Sequence, residues 1–306
     1  MTNKPDITEV ATGVFGYIQS EGSWCVNNAG IVVSDNEALL IDTAATVART
    51  QKLRESVVYV SGLIPSAVIN THSHGDHTFG NYLFKEAMII GHQRTRREVD
   101  EAGLHLTTVW PEVEWGRIEI QAPSVTYESR MNVHVGSIGL ELFHPGPAHS
   151  SNDTIIWLPK EEVAFTGDIV MGGVTPFCPL GSITGTLSAI DKIRDLKPKT
   201  LIGGHGKITD VESLNTTERY MRCVQKWAAE GKRSGMSPLE VANAVDLGEF
   251  GELQEPERLV ANLHCAYAEI THSEEFTKDK GVGEVFMSEV IREMIAYKGG
   301  PLTSYA

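Results

Sequence analysis

Three histidines and an aspartate crowd the stretch Thr71-His72-Ser73-His74-Gly75-Asp76-His77. Imidazole nitrogens and carboxylate oxygens at this density have little structural use other than gripping a metal ion. The stretch follows the apolar run Pro65 to Asn70 and precedes Thr78 to Phe84, which reads as the start of a helix. The donors are therefore expected at the carboxyl end of a strand. In extended chain His72 and His74 project to the same side and reach one ion, while Asp76 and His77 curl into the helix start and face a second. Gly75 is expected to supply the backbone freedom for that bend.

Four donors do not complete two metal sites, and further donors stand at comparable strand ends. His149 lies in Pro145-Gly146-Pro147-Ala148-His149-Ser150, just past the strand-like Gly139 to His144. Asp168 closes Val163-Ala164-Phe165-Thr166-Gly167, and His205 follows Thr200-Leu201-Ile202-Gly203-Gly204. Each is accompanied by Gly or Pro, as expected where the backbone turns sharply to present a side chain. Asp168 is the natural candidate for a carboxylate shared by two ions.

With these elements in place the chain resembles the metallo-β-lactamase superfamily from about Val10 to Asp210. The matching elements run in family order: Asp42 in Leu39-Leu40-Ile41-Asp42-Thr43, the His72-His74-Asp76-His77 block, His149, Asp168 and His205. The resemblance implies that His72, His74 and His149 hold one metal and Asp76, His77 and His205 the other, with Asp168 bridging. It implies that Asp42 orients the site rather than ligating, whereas an Asx-turn at a strand end explains the same residue structurally. Zinc β-lactamases lack a bridging Asp at the place of Asp168, so the resemblance points instead to the glyoxalase II, lactonase and related hydrolase branches.

Two divalent ions about 3.5–4 Å apart lower the pKa of a shared water enough to hold hydroxide at neutral pH, and polarise a carbonyl. The expected activity is hydrolysis of a small ester-like bond, a thioester or lactone above all, by that bridging hydroxide. Asp76 is the candidate catalytic residue, both ligand and proton carrier to the leaving group. Zinc is the default metal, with iron or manganese equally suited to imidazole and carboxylate donors. The alternative is an iron-dependent oxidoreductase on the same scaffold, resembling persulfide dioxygenases or flavodiiron proteins. The latter usually have Glu at the place of His74 and carry a flavodoxin domain, and the former use one iron. A β-lactamase or a non-catalytic binding protein ranks below both.

The chain has 306 residues, 26 Lys and Arg against 40 Asp and Glu, and a net charge of −14. A basic cluster no longer than Arg94 to Arg97 argues against nucleic acid as a partner. Met1 to Thr8 lacks the apolar core of a signal peptide, and no run of about 18 apolar residues suggests a membrane span. Cys25, Cys178, Cys223 and Cys265 are widely spaced without a C-x-x-C pair, which fits reduced thiols. A cytoplasmic enzyme acting on a small molecule is expected, with a homodimer possible.

To position these residues the chain offers strand signals at Val14 to Ile18, Ala29 to Val33 and Ala38 to Ile41, then a helix from Val47 to Ser61. Further strands run from Ser124 to Gly167, including Asp153 to Leu158, and the helix Leu187 to Leu196 leads into the His205 strand. The alternation reads as α/β. The resemblance implies an αββα sandwich for residues 1–210, with residues 211–306 a helical C-terminal extension packing on it. In that extension Glu212 to Gly231 is helical in period, Ser237-Pro238 opens another helix, a third segment starts at Pro256, and an amphipathic stretch runs from Val282 to Tyr297. The extension either packs and supplies subunit contacts or walls the substrate pocket. Trp24 and Phe177, in loops beside the donors, are candidate apolar substrate contacts, or ordinary packing. His92 reads as a structurally satisfied histidine and His144 as a neighbour of the donors, while His105, His134, His264 and His272 lack ligand-like company. Cys178 has no His/Asn pattern to make it a nucleophile.

Overall fold

The structure is a computed structural model that describes residues 6–19, 24–271 and 284–306. The expected start of the last helix at Val282, together with His272, Ser23 and Met1 to Pro5, lies outside the described residues. Strands β1 (Asp6–Ala11), β2 (Val14–Ile18), β3 (Ala29–Ser34) and β4 (Glu37–Ile41) form an antiparallel run. Strands β5 (Ala67–Ile69), β6 (Met88–His92) and β7 (Val125–Tyr127) then add to β4 in parallel, completing a seven-stranded sheet in sequential order. The second sheet has five strands: β8 (Arg130–Val135), β9 (Ile138–Phe143), β10 (Ile155–Leu158), β11 (Val163–Gly167) and β12 (Thr200–Gly203). It is antiparallel except for the last pair, where β12 runs parallel to β11. Helix α1 (Val47–Ser61) makes the crossover from β4 to β5, and α2 (Gly75–Thr78), α3 (Gln93–Ala102) and α4 (Ile183–Leu196) follow.

The strands carry apolar residues on both faces, because both faces are covered. Between the sheets Leu39, Ile41, Ile69 and Ile90 meet Leu140, Leu142, Ile156 and Phe165. The alternate residues Leu40, Val68 and Ile89 face outward onto Leu53 and Val57 of α1. On the other side Ile155, Trp157 and Leu201 face Ala189, Ile190 and Ile193 of α4. This is the helix-sheet-sheet-helix sandwich expected from the sequence. Strand β1 was not anticipated; its residues are half-exposed, so it has no alternation strong enough to read.

One expectation is corrected. The helix expected to run on from Thr78 stops after α2, and a single 3₁₀ turn follows at Asn81–Leu83. The carbonyl of His77, which would accept from residue 81 in a longer helix, is taken instead by the Thr43 amide, the Thr43 hydroxyl and the Asn70 side chain.

After β12 the described chain is helical: α5 (Val211–Arg233), α6 (Pro238–Ala244), α7 (Arg258–Thr271) and α8 (Glu284–Lys298). Asp210 caps α5 by accepting from the Glu212 amide, and Ser237 with Glu240 forms a reciprocal capping box on α6. Their buried residues, among them Tyr220, Leu259, Leu263, Val290 and Met294, share one core with Trp24, Phe79, Trp110 and Cys178 of the sandwich. No described helix is long and apolar enough to cross a membrane.

Candidate metal centre

The candidate donors and Asp42 come from chain that follows strand ends, with His149 farther out in the loop after β9, and the strand ends converge on one edge of the sandwich. Asp42 follows β4, His72 to His77 follow β5, Asp168 follows β11 and His205 follows β12. The edge is tied together by backbone bonds between the sheets, from Thr154 to the Thr71 carbonyl at 2.7 Å and from Asn28 to the Gly204 carbonyl at 2.6 Å.

Two donor groups result: His72, His74, His149 and Asp168, and beside them Asp76, His77 and His205. In the first, His149 Nε2 lies 2.9 Å from His74 Nδ1 and 3.6 Å from Asp168 Oδ2, which is 4.0 Å from His72 Nε2. In the second, His205 Nε2 lies 3.2 Å from Asp76 Oδ2, and His77 Nε2 lies 3.7 Å from it. Asp168 lies against both groups: Oδ1 is 3.3 Å from His77 Nε2, and Oδ2 is 3.3 Å from His205 Nε2 as well as 3.6 Å from His149 Nε2. His72 Nε2, His77 Nε2 and Asp168 Oδ1 are buried with no hydrogen-bond partner. A buried polar atom without a partner costs on the order of 1–3 kcal/mol. Three of them pointing into one space are what a cation-binding cage looks like when its donors are in place, so the residues fit a divalent metal pair.

The outward ring nitrogens of His72, His77, His149 and His205 are engaged, which fixes each of these rings with its other nitrogen inward. His149 Nδ1 bonds to the Phe177 carbonyl, and His205 Nδ1 lies 3.0 Å from the Val26 carbonyl. His77 Nδ1 donates to Asp42 Oδ2 at 2.9 Å. Asp42, 2 % exposed and at a φ of 60°, also accepts from the Thr71 amide at 2.7 Å and the Thr71 hydroxyl at 2.6 Å. The Thr71 oxygen in turn lies 3.0 Å from His72 Nδ1. Asp42 thus holds a ring of each group, His77 directly and His72 through Thr71.

The electrostatics divide the same way. Burial, with help from the neighbouring His77, pushes His72 well below its usual range, and burial takes His149 down to about 3. Both are neutral rings with a free lone pair. Burial alone would lower His77 and His205 too, but the Asp168 and Asp76 carboxylates outweigh it, lifting His77 well up and His205 to about 9. Burial would likewise raise Asp76, yet His77 and His205 hold it below the ordinary carboxylate range. A pair of buried carboxylates demands positive charge here, supplied by ring protons or by the cation that displaces them.

Two glycines are required by close approach. A Cβ on Gly204 would lie 1.9 Å from Asp168 Oδ1 and 2.9 Å from His77 Cε1. A Cβ on Gly75 would strike the Phe79 ring at 2.3 Å. Gly75 lies inside α2 and is absent from the glycines of positive φ. What it contributes is space, not the backbone freedom expected of it.

The donors open onto a cavity of about 440 Å³ that also reaches Trp24, Phe177 and, from the C-terminal helices, Arg258, Ile291 and Met294. Trp24 and Phe177 meet edge to face at 5.1 Å. Trp24 Nε1 donates to the buried Glu257 at 3.0 Å, and the Arg258 guanidinium stacks 4.4 Å over the Trp24 ring. Arg258 also pairs with Glu255. His92 sits away from the donors, capping α3 through Nδ1 and bonding the Glu128 carbonyl at 2.8 Å through Nε2. His144 stacks on it at 4.2 Å and bonds the Asp153 carbonyl at 2.7 Å.

Four features near the site escaped the sequence reading. They are the Thr71 hub, the buried Asp153 carboxylate holding the Ala148 and Ser150 amides of the His149 loop, the Glu98-Ser73-Asn152 network, and the Arg258-Glu257 clamp on Trp24. Ser150 and Asp153, close to His149 in sequence, gave a readable Asx-type signal; the others join segments far apart.

Curated relatives include a metallo-β-lactamase type 2 of Bacteroides fragilis, 24% identical over 70% of this chain and 84% of the relative. A probable metallo-hydrolase of Bacillus subtilis is 27% identical over 60% of this chain and 87% of its own length. An atrochrysone carboxyl ACP thioesterase of Aspergillus fumigatus is 26% identical over 67% of this chain and 58% of its own. Among solved structures, a metallo-β-lactamase from Pontibacter korlensis superposes with a TM-score of 0.58 at 19% identity, covering 72% of this chain and 99% of that one. At that identity the likeness establishes the fold. The model of the metallo-beta-lactamase superfamily matches residues 22–205, the span that carries every donor described above, and the chain belongs to that superfamily.

Proposed function

We propose that this superfamily member is a binuclear metal-dependent hydrolase of a small ester-like substrate, with thioesters and lactones as the favoured bonds. The observation that carries the reading is Asp168, a buried carboxylate within reach of both donor groups, with Oδ1 beside His77 and Oδ2 beside both His205 and His149. His72, His74 and His149 would hold one cation, Asp76, His77 and His205 the other, and Asp168 both. When bound, the pair supplies activation of water and polarisation of the scissile carbonyl. Zinc is the default occupant, with iron and manganese compatible with the same donors.

The protein's own groups do the rest. The fixed outward bonds of His77, His149 and His205 keep the other nitrogen of each ring aimed inward, where a bound cation would displace the protons that the carboxylates hold on His77 and His205. Asp76 lines the cavity and is kept ionised by His77 and His205; in this reading it would relay a proton to the leaving group. A thiolate leaving group needs little of that help, and the thioesterase among the relatives supports this bond type. Asp168, at a place where the namesake zinc β-lactamases lack a bridging Asp, weighs against a β-lactam substrate.

The test is the anaerobic initial rate on thioesters, lactones, simple esters and a β-lactam, with metal content measured and Asp168→Ala as control. One bond class turned over, and lost in the control, is the expected result. No turnover by fully metallated protein, or turnover that requires oxygen, refutes the proposal.

A further inference from the structure

The cavity beside the donors is larger and more apolar than a metal centre needs. Its polar groups include the donors at one end, a rim formed by Arg97, Glu98 and Glu101 of α3, and Arg258, whose guanidinium lies over the Trp24 and Phe177 rings. Between donors and rim runs a strip of aromatic rings. Phe177 lies 6.2 Å from the His149 ring, Trp24 5.1 Å from Phe177, and Trp110 5.6 Å from Trp24. The facing wall comes from α8, where Met287, Ile291 and Met294 stand at i, i+4 and i+7 and all line the cavity. On this face Met294 is closed off in the shared core, while Ile291 and Met287 border the open space. Phe177, Met287 and Ile291 remain only partly buried, while Val290, on the adjoining face of α8, is closed off completely. Apolar surface held open beside a reaction centre is surface that a ligand covers at a gain of about 25 cal/mol per Å². Methionine at two of the three wall positions lets that wall adapt to its occupant.

Resting on the hydrolase reading above, we infer that this site takes substrates whose acyl part is a bulky apolar group, aryl or medium-chain alkyl, seated between the Phe177-Trp24-Trp110 strip and the α8 face. The acyl part and not the leaving group is placed there because the strip begins at His149. Asp76, which serves the leaving group, belongs to the other donor group. The C-terminal helices are thus a specificity element as well as packing. The stacked Arg258 and the Glu257 bond fix the Trp24 ring, so the strip is rigid where the α8 wall is adaptable.

The experiment is a series of thioesters with a constant leaving group and acyl chains from acetyl through octanoyl and phenylbutyryl, assayed with the metallated protein. A second series varies the leaving group at constant acyl. The specificity constant kcat/KM is expected to rise by up to about fourfold per methylene until the cavity is filled, and to respond weakly to apolarity in the leaving group. Ile291→Trp, at a partly buried wall position, is expected to move the optimum to shorter acyl chains with Tm and metal content unchanged. Hydrolysis that is flat across the acyl series, or that tracks the leaving group, overturns the inference while leaving the hydrolase reading intact. If no ester is cleaved, the hydrolase reading fails alone, because quenching of tryptophan fluorescence by octanoate and phenylbutyrate still reports on the pocket. Binding at least tenfold tighter than acetate, weakened in Ile291→Trp, supports it; equal binding of all three acids refutes it.

Discussion

Replacing Asp42 by Asn separates the orienting role of this residue from its structural one. Asn keeps the size of the side chain and tolerates the left-handed backbone at a φ of 60°. Its Oδ1 still accepts from the Thr71 amide, so most of the buried framework survives. At the second position an acceptor becomes an NH₂ donor. It then faces His77 Nδ1, which must give up its proton to accept, and the proton moves to Nε2, the atom aimed at the metal space. The same NH₂ donates to the Thr71 hydroxyl, freeing that hydroxyl to donate to His72 Nδ1 and turn His72 in the same wrong direction. One isosteric change therefore misassigns a tautomer in each donor group. Loss of such an orienting partner costs about 10- to 100-fold in metal affinity per site, or about 1.4–2.7 kcal/mol. Asp42→Ala instead strands the Thr71 amide, the Thr71 hydroxyl and His77 Nδ1. At about 1–3 kcal/mol each that is a large fraction of a typical 5–15 kcal/mol stability. Competition with a chromophoric chelator measures affinity, and urea unfolding of the metal-free protein measures stability. The reasoning is refuted if Asp42→Asn binds both metals with wild-type affinity, or if metal-free Asp42→Asn is as unstable as Asp42→Ala.

Three further outcomes are expected. Gly204→Ala, whose Cβ would lie 1.9 Å from Asp168 Oδ1, should displace the shared carboxylate and lower metal stoichiometry below two while the circular dichroism spectrum stays unchanged; a full complement of two metals would contradict it. Arg258→Ala should cost about 2–4 kcal/mol in urea unfolding, because it leaves the largely buried Glu255 without its partner and strips the guanidinium from Trp24. His92 caps α3 with an unprotonated Nδ1, and burial, with the neighbouring His144, lowers its pKa from the ordinary 6.5 to about 4. The unfolded state then binds more protons between those values, so the stability this residue contributes is complete above pH 6.5 and lost as pH falls toward 4. His92→Asn, a cap that does not titrate, should lose less stability than wild type between pH 7 and 4.5, and parallel profiles would exclude the mechanism.

The sequence by itself determined the donor set and the layered frame around it. His72, His74, Asp76 and His77 are close in chain, so strand and turn geometry alone brings them together. Asp42, Asp168 and His205 follow apolar runs that are strands whatever their neighbours, and parallel β4-β5 and β11-β12 pairs put their ends on the same edge. The capped helices of the extension were legible for the same reason, since capping is a local competition for a few amides. Tertiary structure decided what depends on contacts across long separations. Trp24 and Glu257 meet across 233 residues, and nothing in either segment signals the other. The early end of α2 follows from Thr43 and Asn70 claiming the His77 carbonyl, a competition that helix propensity does not register. The methionine and isoleucine face of α8 reads as ordinary core in sequence. Only its placement over the open side of the donors, opposite the aromatic strip, turns that face into a pocket wall.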